Sequence, residues 1–216
     1  VTSEDAVRGY VVSGITAGLT QGVYDNWLGT ETGASSALPN SGTVASGAGG
    51  LSRLQGIGRF AGNQLLQNGT SAVLDRALGG NSSLSDALRT SLANTFAAAG
   101  FNLIGDQTAP GKWDLKDGSP GKILLHAVMG GLAAEAAGGD CKSGALAAGI
   151  NEALVDSLSQ IYGEMDDANK ESLLVMNSQV IGVLAAAAQG GDEKALQTGA
   201  WVAGTATQYN FIKHEE

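Results

Sequence analysis

Residues 130–149 read GGLAAEAAGGDCKSGALAAG, and residues 182–204 read GVLAAAAQGGDEKALQTGAWVAG. The two segments share the pattern G-x-L-A-A-x-A-x-G-G-D, followed after a short spacer by G-A-x-x-A-G. Ala and Leu favour helix, whereas Gly-Gly ends one helix and Asp begins the next. The duplication therefore predicts helical hairpins whose arms pack closely through small side chains. It contains no obvious catalytic group.

Each Gly-Gly-Asp is interpreted as a turn between two helices. The glycines would supply left-handed C-terminal caps, and each aspartate would accept hydrogen bonds from the first free amides of the next helix. A metal or catalytic role would need partner side chains that the sequence does not show. The predicted structural caps are Gly138, Gly139, Asp140, Gly190, Gly191 and Asp192.

Hydrophobic periodicity predicts a mainly α protein of Gly/Ala-rich, close-packed helical hairpins. Residues 29–50 are rich in Gly, Ser and Thr, carry the turn signal Pro39-Asn40-Ser41-Gly42, and admit a short β-hairpin. The predicted helices span residues 6–27, 51–67, 70–78, 84–99, 123–137, 141–162, 167–189 and 193–211. The first helix should present a smooth packing face made of Gly9, Gly14, Gly18 and Gly22.

A second irregular segment, residues 105–121, contains Pro110, Trp113 and Pro120. It predicts an N-terminal helical half, residues 1–104, and a duplicated helical-hairpin half, residues 122–216. The same pattern is compatible with one integrated domain. Because the chain begins with Val1 and has no basic-then-apolar leader, we expect it to be a piece of a longer protein.

Composition excludes several functional classes. The formal net charge of −9 makes phosphate backbones repulsive, so we expect no nucleic-acid partner. The single cysteine, Cys141, excludes internal disulfides and multi-cysteine metal sites. No uninterrupted apolar run approaches the roughly 20 residues that span a bilayer.

Few side chains are candidates for chemistry. His126 lies on an otherwise apolar helical segment with no second ligand at metal-binding spacing, so we interpret it as a core residue. His214 belongs to a charged tail and is expected to be solvated. Neither a nucleophile elbow nor a phosphate loop is present. We therefore predict no enzymatic activity, no cofactor and no metal.

Asn210 is a candidate processing junction. An Asn side-chain amide can attack its own carbonyl carbon, form a succinimide and split the chain, provided that the residue is exposed and flexible. Asn210 lies in Gln208-Tyr209-Asn210-Phe211, near the end of the sequence. The alternative is an ordinary polar residue near a helix end.

Several stretches carry a family resemblance. The chain resembles the pretoxin-side conserved region of two-partner-secretion exoproteins, the filamentous haemagglutinin-like and contact-dependent growth inhibition effectors of Gram-negative bacteria, especially pseudomonads. The resemblance spans most of residues 6–214. The stretches that carry it are 36–42, 63–69, 125–132, 138–140, 151–156 and 206–210.

The resemblance implies a position more than a chemistry. Such regions precede a variable toxin domain in a secreted filament and are associated with delivery or adhesion. The implied partners are the adjoining toxin domain, an outer-membrane secretion partner, and a target-cell membrane or receptor. The implied location is secreted or at the bacterial cell surface, with passage through the periplasm. Gln208-Tyr209-Asn210 is the nearest match to the family's junction motif, but it lacks the expected Leu.

Three functions follow as hypotheses. The first is a non-enzymatic delivery module for a contact-dependent toxin. The second is a membrane-active module, since glycine-spaced Ala/Leu helices also occur where helices enter membranes. The third is an adhesin, whose aromatic candidates Trp27, Trp113 and Trp201 are equally compatible with a core.

Overall fold

The computed structural model describes residues 3–32, 43–45 and 50–212. The turn signal at residues 39–42 and His214 lie outside the described residues. The fold is mainly α, as predicted. The chain forms two compact units, residues 1–95 (unit 1) and 96–216 (unit 2). The division falls inside a helix, whereas we expected it in the segment 105–121.

Unit 1 begins with a long helical segment that contains a π-helical turn. Helix α1 (Ser3–Leu19) passes into the π turn Thr20–Tyr24 and then into α2 (Asp25–Leu28). Strands β1 (Thr30–Thr32) and β2 (Thr43–Ala45) pair antiparallel, with Thr30 opposite Ala45. A 3₁₀ turn (Gly50–Ser52), α3 (Leu54–Ala77) and the first part of α4 (Leu84–Thr108) follow.

Asp25 links the β-hairpin to α3 through hydrogen bonds. Its Oδ1 accepts hydrogen bonds from Thr30 Oγ1 at 2.7 Å, from Thr32 Oγ1 at 2.9 Å and from Asn63 Nδ2 at 2.8 Å. Asn63 is completely buried and also donates to Thr30 Oγ1 at 2.7 Å. A partly buried, hydrogen-bonded carboxylate of this kind fixes the position of a two-stranded ribbon that would be marginal alone.

Two predictions about unit 1 were wrong. The predicted break at Asn68-Gly69 does not occur, because α3 continues through both residues. The predicted glycine face of α1 is not a packing face either. A Cβ added at Gly9 or Gly14 would meet nothing within 4 Å, and the same holds at Gly18 and Gly22. A long helix tolerates glycine at a cost in helix propensity. The regular spacing of glycines in α1 therefore does not by itself identify a packing face.

Unit 2 is built from the end of α4 and four further helices. These are α5 (Pro120–Ala137), α6 (Cys141–Ile161), α7 (Asp167–Ala187) and α8 (Glu193–Ala206). A π turn, Thr207–Phe211, extends α8. Helices α5 and α6 pack as one hairpin and α7 and α8 as another, and α6 and α8 also pack together. Both predicted hairpins are therefore present.

The duplicated segment produces the same close contact twice. A Cβ added at Gly130 of α5 would overlap the carbonyl oxygen of Gly144 on α6, and the reverse also holds. Gly182 of α7 and Gly199 of α8 are related in the same reciprocal way. In each hairpin the two backbones thus approach closely where both helices carry glycine, as small residues allow.

The Gly-Gly-Asp turns have capping geometry. Gly138 ends α5 with φ 78°, and Gly190 follows α7 with φ 73°, both in the left-handed region. Asp140 is the N-cap of α6, and its Oδ2 accepts from Ser143 N at 2.7 Å. Asp192 is the N-cap of α8, and its Oδ1 accepts from Ala195 N at 2.9 Å.

Unit 2 buries small side chains and leaves many large ones outside. Alanines such as Ala133, Ala147, Ala186 and Ala203 are completely buried. A larger apolar cluster of Val155, Leu174 and Phe211 lies where α6, α7 and the last turn meet. On α5, α6 and α7 an exposed apolar residue recurs every four positions. We call this set the outer apolar residues: Leu124, Val128, Leu132, Leu146, Ile150, Leu154, Met176, Val180 and Leu184.

Across residues 3–32, 43–45 and 50–212, no helix combines the length and the apolar character needed to cross a membrane.

Candidate functional site

Several polar side chains of unit 2 meet in its interior. We call this set the buried polar cluster, and every member but Asp117 and Gly118 is at most 5% exposed. It draws on α5, α6, α7, the last π turn and the segment between α4 and α5. Its members are Asp117, Gly118, Lys122, His126, Asn151, Glu152, Ser178, Thr207 and Asn210.

The centre of the cluster is His126 of α5. Its Nε2 lies 3.3 Å from Glu152 Oε2 on α6 and also contacts the side-chain amide of Asn210. The Phe101 ring of α4 lies beside the imidazole, with ring centroids 5.4 Å apart. His126 and Glu152 are each 1% exposed, and Asn210 is completely buried. Three segments far apart in sequence therefore meet at one imidazole nitrogen.

Lys122 and the segment before α5 contact the second carboxylate oxygen of Glu152, Oε1. Glu152 Oε1 accepts a hydrogen bond from the Gly118 amide at 3.1 Å and lies 3.9 Å from Lys122 Nζ. The ammonium of Lys122 also pairs with Asp117. Ser119 caps α5 and Pro120 begins it, so the Gly118 amide that donates to Glu152 lies just before the helix.

Burial determines the protonation of the pair. Desolvation, followed by repulsion from Lys122, lowers the pKa of His126 to about 3. Desolvation raises the pKa of Glu152 to about 7, against the lowering effects of Lys122 and the Gly118 amide, while Asp117 and Asp156 raise it further. The pair is therefore held as a neutral imidazole beside a protonated or half-protonated carboxyl group. An exposed pair would form an ion pair instead.

A second set of contacts links α6, α7 and the last turn. Asn151 Nδ2 donates to Thr207 Oγ1 at 2.8 Å, and Thr207 Oγ1 lies 2.6 Å from Ser178 Oγ. Three buried atoms of the cluster have no hydrogen-bond partner within the described chain. These are His126 Nδ1, Asn151 Oδ1 and Asn210 Oδ1. Buried polar atoms without a partner cost free energy, whereas the hydrogen bonds that are made favour a single arrangement of the helices.

The titratable side chains at the centre of the cluster, His126 and Glu152, are enclosed by protein. General acid–base catalysis needs a titratable group within reach of a substrate proton. His126 and Glu152 instead face each other and other protein groups. Nor do the described residues include a group of three or more His, Cys, Asp or Glu side chains that could hold a metal ion.

The predicted cap residues Asp140 and Asp192 lie near each other, away from the buried polar cluster. Asp140 and Asp192 line one open cleft of about 440 Å³, together with Lys142, Ser143 and Gln189. Each aspartate already accepts hydrogen bonds at its own helix start. The two Gly-Gly-Asp turns thus lie side by side at one end of the bundle.

The structure places the remaining predicted residues as follows. His126 is in the core, as we expected. Asn210 is also buried, whereas self-cleavage would need an exposed and flexible position. Trp27 and Trp113 are 75% and 58% exposed, and Trp201 is partly buried.

Sequence reasoning missed Lys122, Asn151 and Glu152 as site residues. One signal was present. Lys122 and His126 are four residues apart on one helix, and Glu152 is the lone charged residue of the apolar stretch 143–155. The stretches 125–132, 151–156 and 206–210, which carried the family resemblance, contribute His126, Glu152 and Asn210.

One family model matches the chain over residues 1–148, and its description is "Possible hemagglutinin (DUF637)". The matched residues cover unit 1, α5 and the beginning of α6. No curated protein and no solved structure matches the chain.

Proposed function

The chain belongs to the family described as possible hemagglutinin, and from that premise we propose that it is a non-enzymatic module that delivers an adjoining toxin domain to a neighbouring cell. One observation carries the proposal. His126 and Glu152 of the buried polar cluster are enclosed in unit 2, whereas the outside of the unit presents large apolar side chains. Such a surface suits contact with another surface, not conversion of a small substrate.

The proposal includes the location and partners of the module. It would be secreted through an outer-membrane partner, pass through the periplasm and act at the bacterial cell surface, on a membrane or receptor of the target cell. A chain with one cysteine needs no disulfide formation on this route. The glycine and alanine interior supports passage in an unfolded form, since small side chains bury little apolar area per residue.

A competition assay tests delivery. Donor cells would produce the longer effector with or without an in-frame deletion of residues 6–212, and would be mixed with target cells that lack immunity. We expect the deletion to abolish killing, although the effector is still secreted and its toxin domain still kills when produced inside the target. A deletion strain that kills as efficiently as the intact strain would refute the delivery role.

An adhesin is the second candidate, favoured by the exposed indoles. Trp27 in unit 1 and Trp113 in unit 2 present large aromatic surface to solvent, which protein and glycan ligands commonly use. Binding of the purified chain to erythrocytes and to target bacteria would be measured for Trp27→Ala and Trp113→Ala. Tyr10→Ala is the matched control, since Tyr10 is 80% exposed. Unchanged binding in both Trp variants would remove the candidate.

Processing at Asn210 remains part of the proposal, with a condition. Asn210 is buried in the last π turn and its amide contacts His126. Cyclisation, in which Nδ2 attacks the carbonyl carbon of Asn210 and the amine of Phe211 leaves, would therefore follow opening of this turn. Mass spectrometry of the longer protein, before and after partial unfolding, tests this order. Cleavage in the native state, or cleavage in Asn210→Ala, would contradict it.

A further inference from the structure

We propose that unit 2 binds the hydrocarbon region of a zwitterionic phospholipid bilayer through its outer apolar residues. This inference deepens the proposed function, because it names the target-cell membrane as the contacted surface. It stands on four features of the described residues: which side chains are buried, where the charges lie, how the interior polar groups are paired, and the sign of the net charge.

The first feature is an inverted distribution of side-chain size. In water, a helix normally buries its Leu, Ile and Val stripe and exposes its smaller or polar residues. In unit 2, Leu124, Val128 and Leu132 of α5 are 64%, 55% and 51% exposed. Apart from Lys122 and His126 of the buried polar cluster, the buried residues of the same helix are small: Gly130, Gly131, Ala133 and Ala134. Small residues between helices and large apolar ones outside are the arrangement that lipid favours.

The second feature is the position of the charged residues. Residues 123–134 of α5 and 172–187 of α7 contain no Asp, Glu, Lys or Arg. On α6 the stretch 143–155 contains Glu152 alone, and Glu152 is buried. Charged side chains lie at the helix ends and in the turns. The three helices are therefore uncharged on the outside over roughly 18–24 Å at 1.5 Å per residue, which is a large part of the roughly 30 Å hydrocarbon thickness.

The third feature is the buried polar cluster. Ionisable residues within membranes usually face the bundle interior and pair with one another, as His126, Glu152 and Lys122 do here. Mean hydropathy along a helix counts these side chains, although lipid would meet only the outer face. A whole bundle can thus present an apolar outside although, among the described residues, no single helix is apolar enough to cross a bilayer.

The fourth feature is the net charge of −9, which selects the lipid headgroup. An anionic surface repels an acidic protein. Binding should therefore depend on apolar contact and should weaken when anionic lipid is added. We expect phosphatidylcholine to be a better partner than a mixture of phosphatidylcholine and phosphatidylglycerol.

Vesicle flotation tests the inference with the full 216-residue chain. We expect the chain to float with phosphatidylcholine vesicles. The combined variant Leu124→Gln, Val128→Gln, Leu132→Gln should lower the partition coefficient by roughly a thousandfold, because each of the three buried apolar side chains contributes about tenfold. The control Leu54→Gln alters an 88% exposed apolar residue of unit 1 and should float normally. Circular dichroism and thermal midpoint should be unchanged in both variants.

The native cysteine gives an independent readout. A polarity-sensitive dye on Cys141, which is exposed at the Gly-Gly-Asp end of α6, should report water. The same dye on a Val128→Cys, Cys141→Ser chain should shift to the blue on vesicle binding.

Three results would overturn the inference: no flotation, flotation that requires anionic lipid, or equal flotation of the triple variant. Sedimentation would reveal a fourth, in which a second copy covers these residues and the triple variant dissociates a dimer. Failure of lipid binding would leave the competition assay unaffected. Loss of the delivery role would not alter flotation of the purified chain.

Discussion

Glu152 and His126 contact each other inside unit 2, and burial shifts the pKa of the two groups in opposite directions. Because burial raises the pKa of Glu152 to about 7 and lowers the pKa of His126 to about 3, the folded pair holds its proton on the carboxyl group. In the unfolded chain, between about pH 4.5 and 6.5, the imidazole holds it instead. Both states then bind one proton, so the pair makes stability nearly independent of pH in this window.

Removing either side chain should leave the stability dependent on pH through the remaining one. The two variants should show pH dependences of opposite sign. In Glu152→Gln, His126 has a lowered pKa in the folded state, so stability should fall as the pH drops below about 6.5. In His126→Gln, Glu152 has a raised pKa in the folded state, so stability should fall as the pH rises from about 4.5 to 7. Each slope should approach about 1.4 kcal/mol per pH unit.

Urea unfolding at several pH values between 4.5 and 7.5 measures these slopes. The remaining titrating groups are common to all three proteins, so the difference between each variant and the parent isolates the pair. Curves that stay parallel to the parent curve in both variants would show that the two groups do not exchange a proton on unfolding.

The first turns of helices α6 and α8 are capped by the aspartates of the two Gly-Gly-Asp turns. Asp140 and Asp192 each accept a hydrogen bond from the amide three residues later. Replacing either by Ala should lower the thermal midpoint by roughly 2–6 °C, whereas Asn, which caps equally well, should have little effect. Calorimetry of the Ala and Asn pair at each position checks this. Equal losses for Ala and Asn would indicate that the carboxylate charge, not the cap, is the stabilising feature.

The contact between α7 and α8 depends on Gly182. A Cβ there would overlap the backbone oxygen of Gly199, which cannot move without shifting α8. We expect Gly182→Ala to lower the free energy of unfolding by about 1–3 kcal/mol. The matched control is Gly14→Ala in α1, where the added methyl group meets nothing within 4 Å. It should be neutral or stabilising by up to about 1 kcal/mol.

Denaturant unfolding of both variants provides the comparison. Two variants with equal stabilities would mean that α7 and α8 do not approach each other at their glycines.

The whole molecule combines exposed apolar side chains with a net charge of −9. Repulsion among copies should disappear as the 21 acidic residues become protonated and balance the 12 basic ones, at about pH 4–5. Light scattering between pH 3.5 and 7.5 should therefore pass through a maximum in that range. The triple α5 variant carries the same charge, so its maximum should lie at the same pH and be smaller. A flat profile for the parent chain would contradict this prediction.

The sequence by itself determined the helices, their hairpin pairing in unit 2 and the glycine-aspartate turns. These features depend on neighbouring residues: Gly138 adopts a left-handed φ, and Asp140 reaches an amide three residues away. The local sequence predicted a helix end at Asn68-Gly69, but α3 continues through both residues. Packing in α3 outweighs the propensity of two residues there.

Only the tertiary structure decided that the Leu and Val stripes of α5, α6 and α7 lie on the outside. Periodicity located the Leu and Val stripes, but close approach at Gly130–Gly144 and Gly182–Gly199 leaves room only for small side chains between the helices. The larger residues are therefore outside. The same packing brings His126, Glu152 and Asn210 together from separate segments. Such a meeting depends on the path of the backbone through space, which no local pattern of residues specifies.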